Sequence, residues 1–193
     1  GPCNPGEGGI DLFSKRELFD LLSGTRIWIA VFLGGILAGA LFYSQLYDLA
    51  LPLLKNAVAI AERPASMSRI SEPVYLLFLY FIKNALVIVL CLMTARPTRG
   101  VLPGLVLLIN GLVLGFAATL THKLAGLSYG QFALGILPHG IFEFTALFLA
   151  CAAGWQALDY RKAWGFIWLP LILLAIAAFT EAFVSPWVIK SLV

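Results

Sequence analysis

The sequence has few charged residues. Asp, Glu, Lys and Arg make up 12% of its 193 positions, whereas a typical soluble domain has about 25%. Hydrophobic residues make up 61%, above the usual 45–50%. This composition excludes a soluble globular enzyme and a disordered chain. The net charge of +3 is small and scattered along the chain, which excludes a nucleic-acid-binding module. A polytopic membrane protein remains.

Residues and motifs that carry chemistry are also scarce. Three cysteines cannot form an extracellular disulfide framework, and there are only two histidines. The chain has no G-x-S-x-G nucleophile motif, no phosphate-binding P-loop and no C-x-x-C pair. We therefore predict no catalytic residues, no metal site and no cofactor, and we expect a protein that is not an enzyme.

Long apolar runs dominate what is present. A helix needs about 20 residues to cross the hydrocarbon core of a bilayer, and five runs are long enough. They lie at 26–47, 74–94, 101–120, 131–154 and 164–187. The predicted fold class is therefore all-α, a polytopic membrane bundle of five transmembrane helices. Pro138 lies early in the fourth run and leaves open a sixth, half-length span over 130–137.

Two shorter segments have the spacing of amphipathic helices at a membrane surface. They cover 10–24 and 49–62. We accordingly divide the chain into a leader with an interfacial helix, 1–25, and a single transmembrane domain, 26–193.

The distribution of Lys and Arg between the loops predicts the orientation. Seven of these residues fall on the side of the N-terminus and five on the opposite side. Since cytoplasmic loops carry the excess of positive charge, we expect a multi-pass protein of the cytoplasmic (inner) membrane with its N-terminus in the cytoplasm.

Glycines recur at helical spacing inside several runs. Membrane helices pack through small residues because apolar side chains gain little by leaving lipid for one another. Such a face serves either packing within one bundle or dimerisation, and we expect a homodimer as well as an internal role. The predicted packing residues are Gly35, Gly39, Gly111, Gly115, Gly135 and Gly140.

Polar side chains also occur within the apolar runs. A charge at the centre of a membrane helix costs about 2.5–3.5 kcal/mol on insertion scales, so these groups should face inward and meet one another. The predicted buried polar cluster consists of Lys83, Asn84, Asn110, His139, Glu143 and Glu181.

Three interpretations of this cluster stay open. In the first, Lys83 pairs with Glu143 or Glu181 and fixes a unique bundle without doing chemistry. In the second, His139, Glu143 and Glu181 line a polar path for ions, protons or a lipid headgroup. In the third, the same three side chains bind a metal ion that activates water.

Three strings occur in order, each within an apolar run: NGLVLG at 110–115, PHGIFE at 138–143 and EAFVSP at 181–186. Together with the preceding F-x-x-N of Phe81 to Asn84, they resemble the stage II sporulation protein M family of prokaryotic membrane proteins over roughly residues 30–187. The resemblance implies a scaffold, because the sporulation member works with two cell-wall hydrolases during engulfment of the forespore. Relatives in organisms that form no spores are thought to act in some cases beside ATPases.

We therefore expect a non-enzymatic membrane scaffold or assembly subunit. Its expected partners are the lipid bilayer, a second copy, and a cell-wall hydrolase or an ATPase, with no nucleic acid. The alternative is a transport subunit, either an ATPase-coupled permease or a small pathway for ions, protons or lipid that uses His139, Glu143 and Glu181. A third possibility is an intramembrane metallohydrolase.

Overall fold

Six α-helices build the fold in a computed structural model, which describes residues 15–61, 71–156, 164–185 and 187. A π-helical turn, Thr180–Val184, follows the last helix directly. The helices are α1 (Lys15–Leu41), α2 (Tyr43–Ala61), α3 (Ser71–Thr94), α4 (Val101–Ala125), α5 (Tyr129–Gln156) and α6 (Trp168–Phe179).

The prediction of five membrane spans in an all-α fold is confirmed. Five helical segments are long and apolar enough to cross a bilayer, and large apolar side chains are exposed along all of them. This is the surface that a lipid environment requires, because lipid tails solvate such side chains. The spans are Leu22–Leu41, Leu77–Thr94, Val101–Ala125, Tyr129–Gln156 and Trp164–Val184.

The beginning of the chain differs from the prediction. The segment 15–24 is the first part of α1 rather than a separate helix. The remainder of the predicted helix, 10–14, lies outside the described residues. Gly24 is the only glycine near the expected break, and one glycine lowers helix stability without ending the helix.

The first span also ends earlier than predicted, at Leu41 rather than at 47. The following helix, predicted at 49–62, covers Tyr43–Ala61. Phe42 separates the two helices, yet its N–H donates to the carbonyl of Ala38 at 2.9 Å and its carbonyl accepts from the N–H of Leu46 at 3.0 Å. The helical hydrogen bonds thus continue across the boundary.

The prediction of a separate half-length span over 130–137 is wrong. α5 runs without interruption from Tyr129 to Gln156 and contains Pro138. Proline removes one hydrogen bond of a helix, but transmembrane helices tolerate it because neighbouring groups compensate for the loss.

The closest approach between helices joins α1 and α4. A Cβ atom on Gly35 or Gly39 would collide with the backbone of Leu108 or Leu112 on α4. Conversely, a Cβ atom on Gly111 or Gly115 would collide with the α1 backbone at Phe32 or Ile36. We call Gly35, Gly39, Gly111 and Gly115 the glycine seam. The GxxxG face of α1 is therefore occupied within the chain, and a dimer would need another surface.

The other two predicted packing glycines, on α5, lie away from this seam. Gly135 and Gly140 are both buried. The nearest atoms to a Cβ on Gly140 would belong to Ile136 and Phe144 of the same helix, at 2.9 and 3.2 Å. α5 instead meets α3 closely at Gly154, which faces the backbone of Leu92.

α1, α3, α4, α5 and α6 all contribute side chains to the core. Ile88, Leu107 and Leu174 are almost fully buried there. The free thiols of Cys91 and Cys151 lie next to each other between α3 and α5. This packing fixes how α3, α4 and α5 face one another, and the polar residues lie between these helices.

Candidate functional site

A polar cavity of about 230 Å³ lies between α3, α4, α5 and α6. Lys83 and Asn84 of α3, Asn110 of α4 and Glu143 of α5 supply its polar groups. The rest of the wall is apolar, with Ile88 and Leu174 among its residues. A space of this size admits several water molecules, and the side chains offer them hydrogen-bond partners.

The glycine seam orients the polar residue of α4. Gly111 faces α1, and the preceding residue, Asn110, projects about 100° away around the helix toward the cavity. The amide nitrogen of Asn110 donates to the carbonyl of Val106 at 2.8 Å. Its Oδ1 atom therefore remains as the hydrogen-bond acceptor of this side chain.

Glu143 has two neighbours on α3. The side chain of Asn84 is positioned to hydrogen-bond with the carboxyl group of Glu143, and Lys83 lies close enough to act on it electrostatically. A buried carboxyl group needs such partners, because an unpaired polar group in an apolar medium is costly. α3 supplies both with two consecutive residues.

Lys83 itself is not enclosed. It lines the cavity but also belongs to the exposed residues of α3, like its neighbours Ile82 and Leu86. Lys83 lies near the middle of α3, so part of its side chain is exposed at membrane depth. The expectation that all the intramembrane charges face inward is thus wrong for Lys83, because its side chain is long enough to reach both the cavity and the outer surface.

Glu181 lies on the π-helical turn Thr180–Val184, which follows α6, whereas Glu143 lies on α5. It is within electrostatic range of both Glu143 and Lys83, and Tyr80 lies close to it. Short π-helical turns within helices occur frequently at functional sites. Two carboxyl groups, one from α5 and one from the π-helical turn, therefore lie within electrostatic range of one ammonium group.

His139 connects α5 to this turn. Its Nδ1 atom lies 2.8 Å from the Oγ atom of Ser185, which is only 4% exposed. The hydroxyl of Ser185 also contacts the carbonyl of Thr180 at 3.3 Å, and that carbonyl accepts the backbone N–H of Ser185 as well. If the hydroxyl donates to the carbonyl, then Nδ1 of His139 donates to Ser185.

The structure thus divides the predicted cluster into two connected parts. Lys83, Asn84, Asn110 and Glu143 line the cavity, whereas His139 binds Ser185 beside the turn that carries Glu181. The sequence interpretation missed the polar partners Ser185 and Tyr80. The spacing in the sequence could have indicated both residues. Ser185 lies four residues after Glu181, and Tyr80 lies three residues before Lys83, so each pair shares a helix face.

The donor set suits hydrogen bonding and ion pairing rather than nucleophilic chemistry. Within the part of the chain that the structure describes, no group of three or more His, Cys, Asp or Glu side chains could hold a metal ion. His139, which the metal interpretation required, is directed to a serine. The arrangement can hold water or present a charge to a neighbour in the membrane.

The helices and the polar cavity together define a multi-pass α-helical membrane protein with ionisable groups inside its bundle. The family model described as stage II sporulation protein M matches residues 28–186, which is most of the chain. The chain belongs to that family, as the three ordered strings predicted. No curated protein and no solved structure matches the chain significantly.

Proposed function

We propose that this chain is a non-enzymatic scaffold or assembly subunit that binds a partner membrane protein along α3. The observation that carries the proposal is the exposed Lys83 near the middle of that helix. In lipid, such a charge costs about 2.5–3.5 kcal/mol on insertion scales. A polar or acidic side chain from a neighbouring transmembrane helix removes that cost, so the exposed face of α3 is a surface for a partner.

The internal packing supports a separate partner surface. The glycine seam is already used between α1 and α4, so it is not free for assembly. The face of α3 around Lys83 instead combines exposed apolar side chains, Phe78, Ile82 and Leu86, with one charge. Polar side chains that hydrogen-bond across an interface contribute to the association of membrane helices. The partner is either a second copy or another envelope protein, such as a cell-wall hydrolase or an ATPase.

Site-specific photo-crosslinking in native membranes tests this proposal. A photoreactive residue replaces Ile82, beside Lys83, and the matched control carries it at Leu37, which is exposed on α1. The proposal predicts a protein crosslink from position 82, at higher yield than from 37, and its loss in Lys83→Leu but not in Lys83→Arg. Crosslinks to lipid alone from position 82 would contradict it. A crosslink to another copy identifies a homodimer, and one to a different protein identifies a mixed assembly.

A second candidate function is a transport subunit, and the polar cavity favours it. Glu143 lines this cavity, and Glu181 lies within electrostatic range of Glu143 and Lys83. Intramembrane ionisable residues are the usual components of ion and proton pathways. Under this alternative, Glu143→Gln abolishes ion or proton flux into liposomes while the protein remains folded. Wild-type liposomes that show no flux of ions, protons or lipid would exclude a self-contained pathway.

We place the protein in the cytoplasmic membrane with its N-terminus in the cytoplasm, as the distribution of Lys and Arg in the loops favours. Labelling of a single introduced cysteine in intact cells tests this orientation. A cysteine at Arg99 should be protected from an impermeant reagent, and one at Ser128, at the opposite end of α4, should react. The reverse pattern would invert the orientation.

A further inference from the structure

An apolar groove of about 380 Å³ runs between α1, α4 and the first half of α5. Ile36 and Leu114 form part of its floor, and the small side chains of Ala118 and Ala133 leave its middle open. Its outer edge includes Ile141, an exposed residue of α5, so the groove is accessible from the bilayer. This groove is separate from the polar cavity and has no role in the proposed function.

The dimensions of the groove suit one hydrocarbon chain. Its lining extends along α5 from Tyr129 to Phe144, which is about 22 Å at 1.5 Å per residue. A groove of that length, open to the bilayer beside the exposed Ile141, accommodates an extended acyl chain.

A cationic and aromatic mouth lies at one end of this groove. His122 follows Leu114 and Ala118 on the same face of α4, and its ring stacks on the ring of Tyr129 at 4.6 Å. The Nδ1 atom of His122 donates to the carbonyl of Leu127 at 2.8 Å, which fixes the ring there. The next residue, Lys123, is exposed. Its ammonium group lies 4.4 Å from the centre of the Tyr43 ring.

We infer that the groove is a binding site for an anionic phospholipid. One acyl chain lies between α4 and α5, and the phosphate group lies at the mouth beside Lys123. Aromatic side chains and lysines at the ends of membrane helices are the groups that hold lipid headgroups at this depth. The apolar wall binds any acyl chain, whereas Lys123 supplies the preference for negative charge.

Native mass spectrometry of the delipidated protein in mild detergent tests the site. The protein is incubated with equal amounts of dioleoyl phosphatidylglycerol and dioleoyl phosphatidylcholine. We expect one retained lipid, with phosphatidylglycerol favoured about fivefold, the effect of one lysine near an anionic headgroup. Ala133→Phe should remove the retained lipid by filling the groove. The matched control, Ala40→Phe at an exposed position of α1, should keep it.

A second variant separates headgroup from chain without disturbing the packing. Lys123→Gln should retain a lipid but lose the preference for phosphatidylglycerol, whereas Arg26→Gln, at an exposed position of α1, should keep the preference. Equal retention of both lipids by the wild type would overturn the assignment of an anionic lipid. The groove would be excluded as the lipid site if folded Ala133→Phe retained lipid as the wild type does. Efficient crosslinking of an Ile141→Cys variant to a second copy would exclude it as well.

Discussion

The glycine seam and the polar cavity are two ways in which the same bundle holds its helices. At the seam, α1 and α4 meet backbone to backbone, and Gly35 and Gly111 leave no room for a side chain. At the cavity, α3, α4 and α5 stand far enough apart to enclose about 230 Å³ lined by charged and amide groups. The seam therefore leaves no room for another arrangement, whereas the cavity has room for water.

α4 belongs to both regions, through adjacent residues. Gly111 packs against α1, and Asn110 faces the cavity. The rigid side thus fixes the depth and direction of one cavity wall. Substitutions in the seam should therefore change folding, and substitutions at the exposed edge of the cavity should change interactions with little effect on folding.

The largest effect is expected at the seam. Gly35→Ala should lower the free energy of unfolding by about 3 kcal/mol, because the added methyl group forces α1 away from the α4 backbone. The matched control is Gly34→Ala on the same helix, where a Cβ atom has nothing within 4 Å. Thermal unfolding in detergent measures both variants. Similar melting temperatures for the two would show that the seam is not tightly packed.

A smaller loss is expected inside the cavity. Glu143→Ala should cost about 1–3 kcal/mol, because it leaves the half-buried amide of Asn84 without its carboxyl partner. Glu143→Gln keeps a hydrogen-bond acceptor and should recover part of that loss. Equal unfolding energies for wild type and Glu143→Ala would mean that water replaces the carboxyl group without cost.

The hydrogen bond between His139 and Ser185 should contribute about 1 kcal/mol. Ser185→Ala removes the partner of a half-buried ring and loosens the π-helical turn from α5. Thr94→Val is the control, since the hydroxyl of Thr94 donates to the carbonyl of Leu90 on its own helix. If Thr94→Val lost as much stability as Ser185→Ala, the hydrogen bond between His139 and Ser185 would contribute no more than a bond within one helix.

The smallest change in stability is expected for Lys83→Met. The side chain is exposed, and exposed substitutions usually stay within about 0.5 kcal/mol. Denaturation of the purified protein measures this change. A loss of more than 2 kcal/mol would show that Lys83 stabilises the bundle itself, which would weaken its assignment to a partner surface.

Hydropathy and helical spacing predict the composition of both regions but not how they connect. The five spans and the intramembrane polar residues follow from the sequence, because charges in apolar runs need partners. The sequence does not predict which helix packs against the glycines, since their spacing alone does not distinguish a contact within one chain from a contact in a dimer. Similarly, the contact between His139 and Ser185 depends on the π-helical turn, which changes the face that Ser185 presents.

Pro138 and Phe42 illustrate the limits of local signals. Pro138 predicts a break, but α5 continues because one missing hydrogen bond is tolerated in a packed bundle. Phe42 carries no breaker signal, yet it separates α1 from α2. Tyr43 then stacks on Phe116 of α4 at 5.5 Å, so a tertiary contact follows directly on this boundary.

The most direct test of the division between a rigid seam and an open polar face is the yield of the Ile82 photo-crosslink in native membranes. It is measured in wild type and in Lys83→Met, and each yield is normalised to the amount of folded protein. Our account predicts a crosslink to a membrane protein in the wild type and its loss in the variant, with unchanged unfolding. Equal yields in the two proteins, or crosslinks to lipid alone, would contradict it.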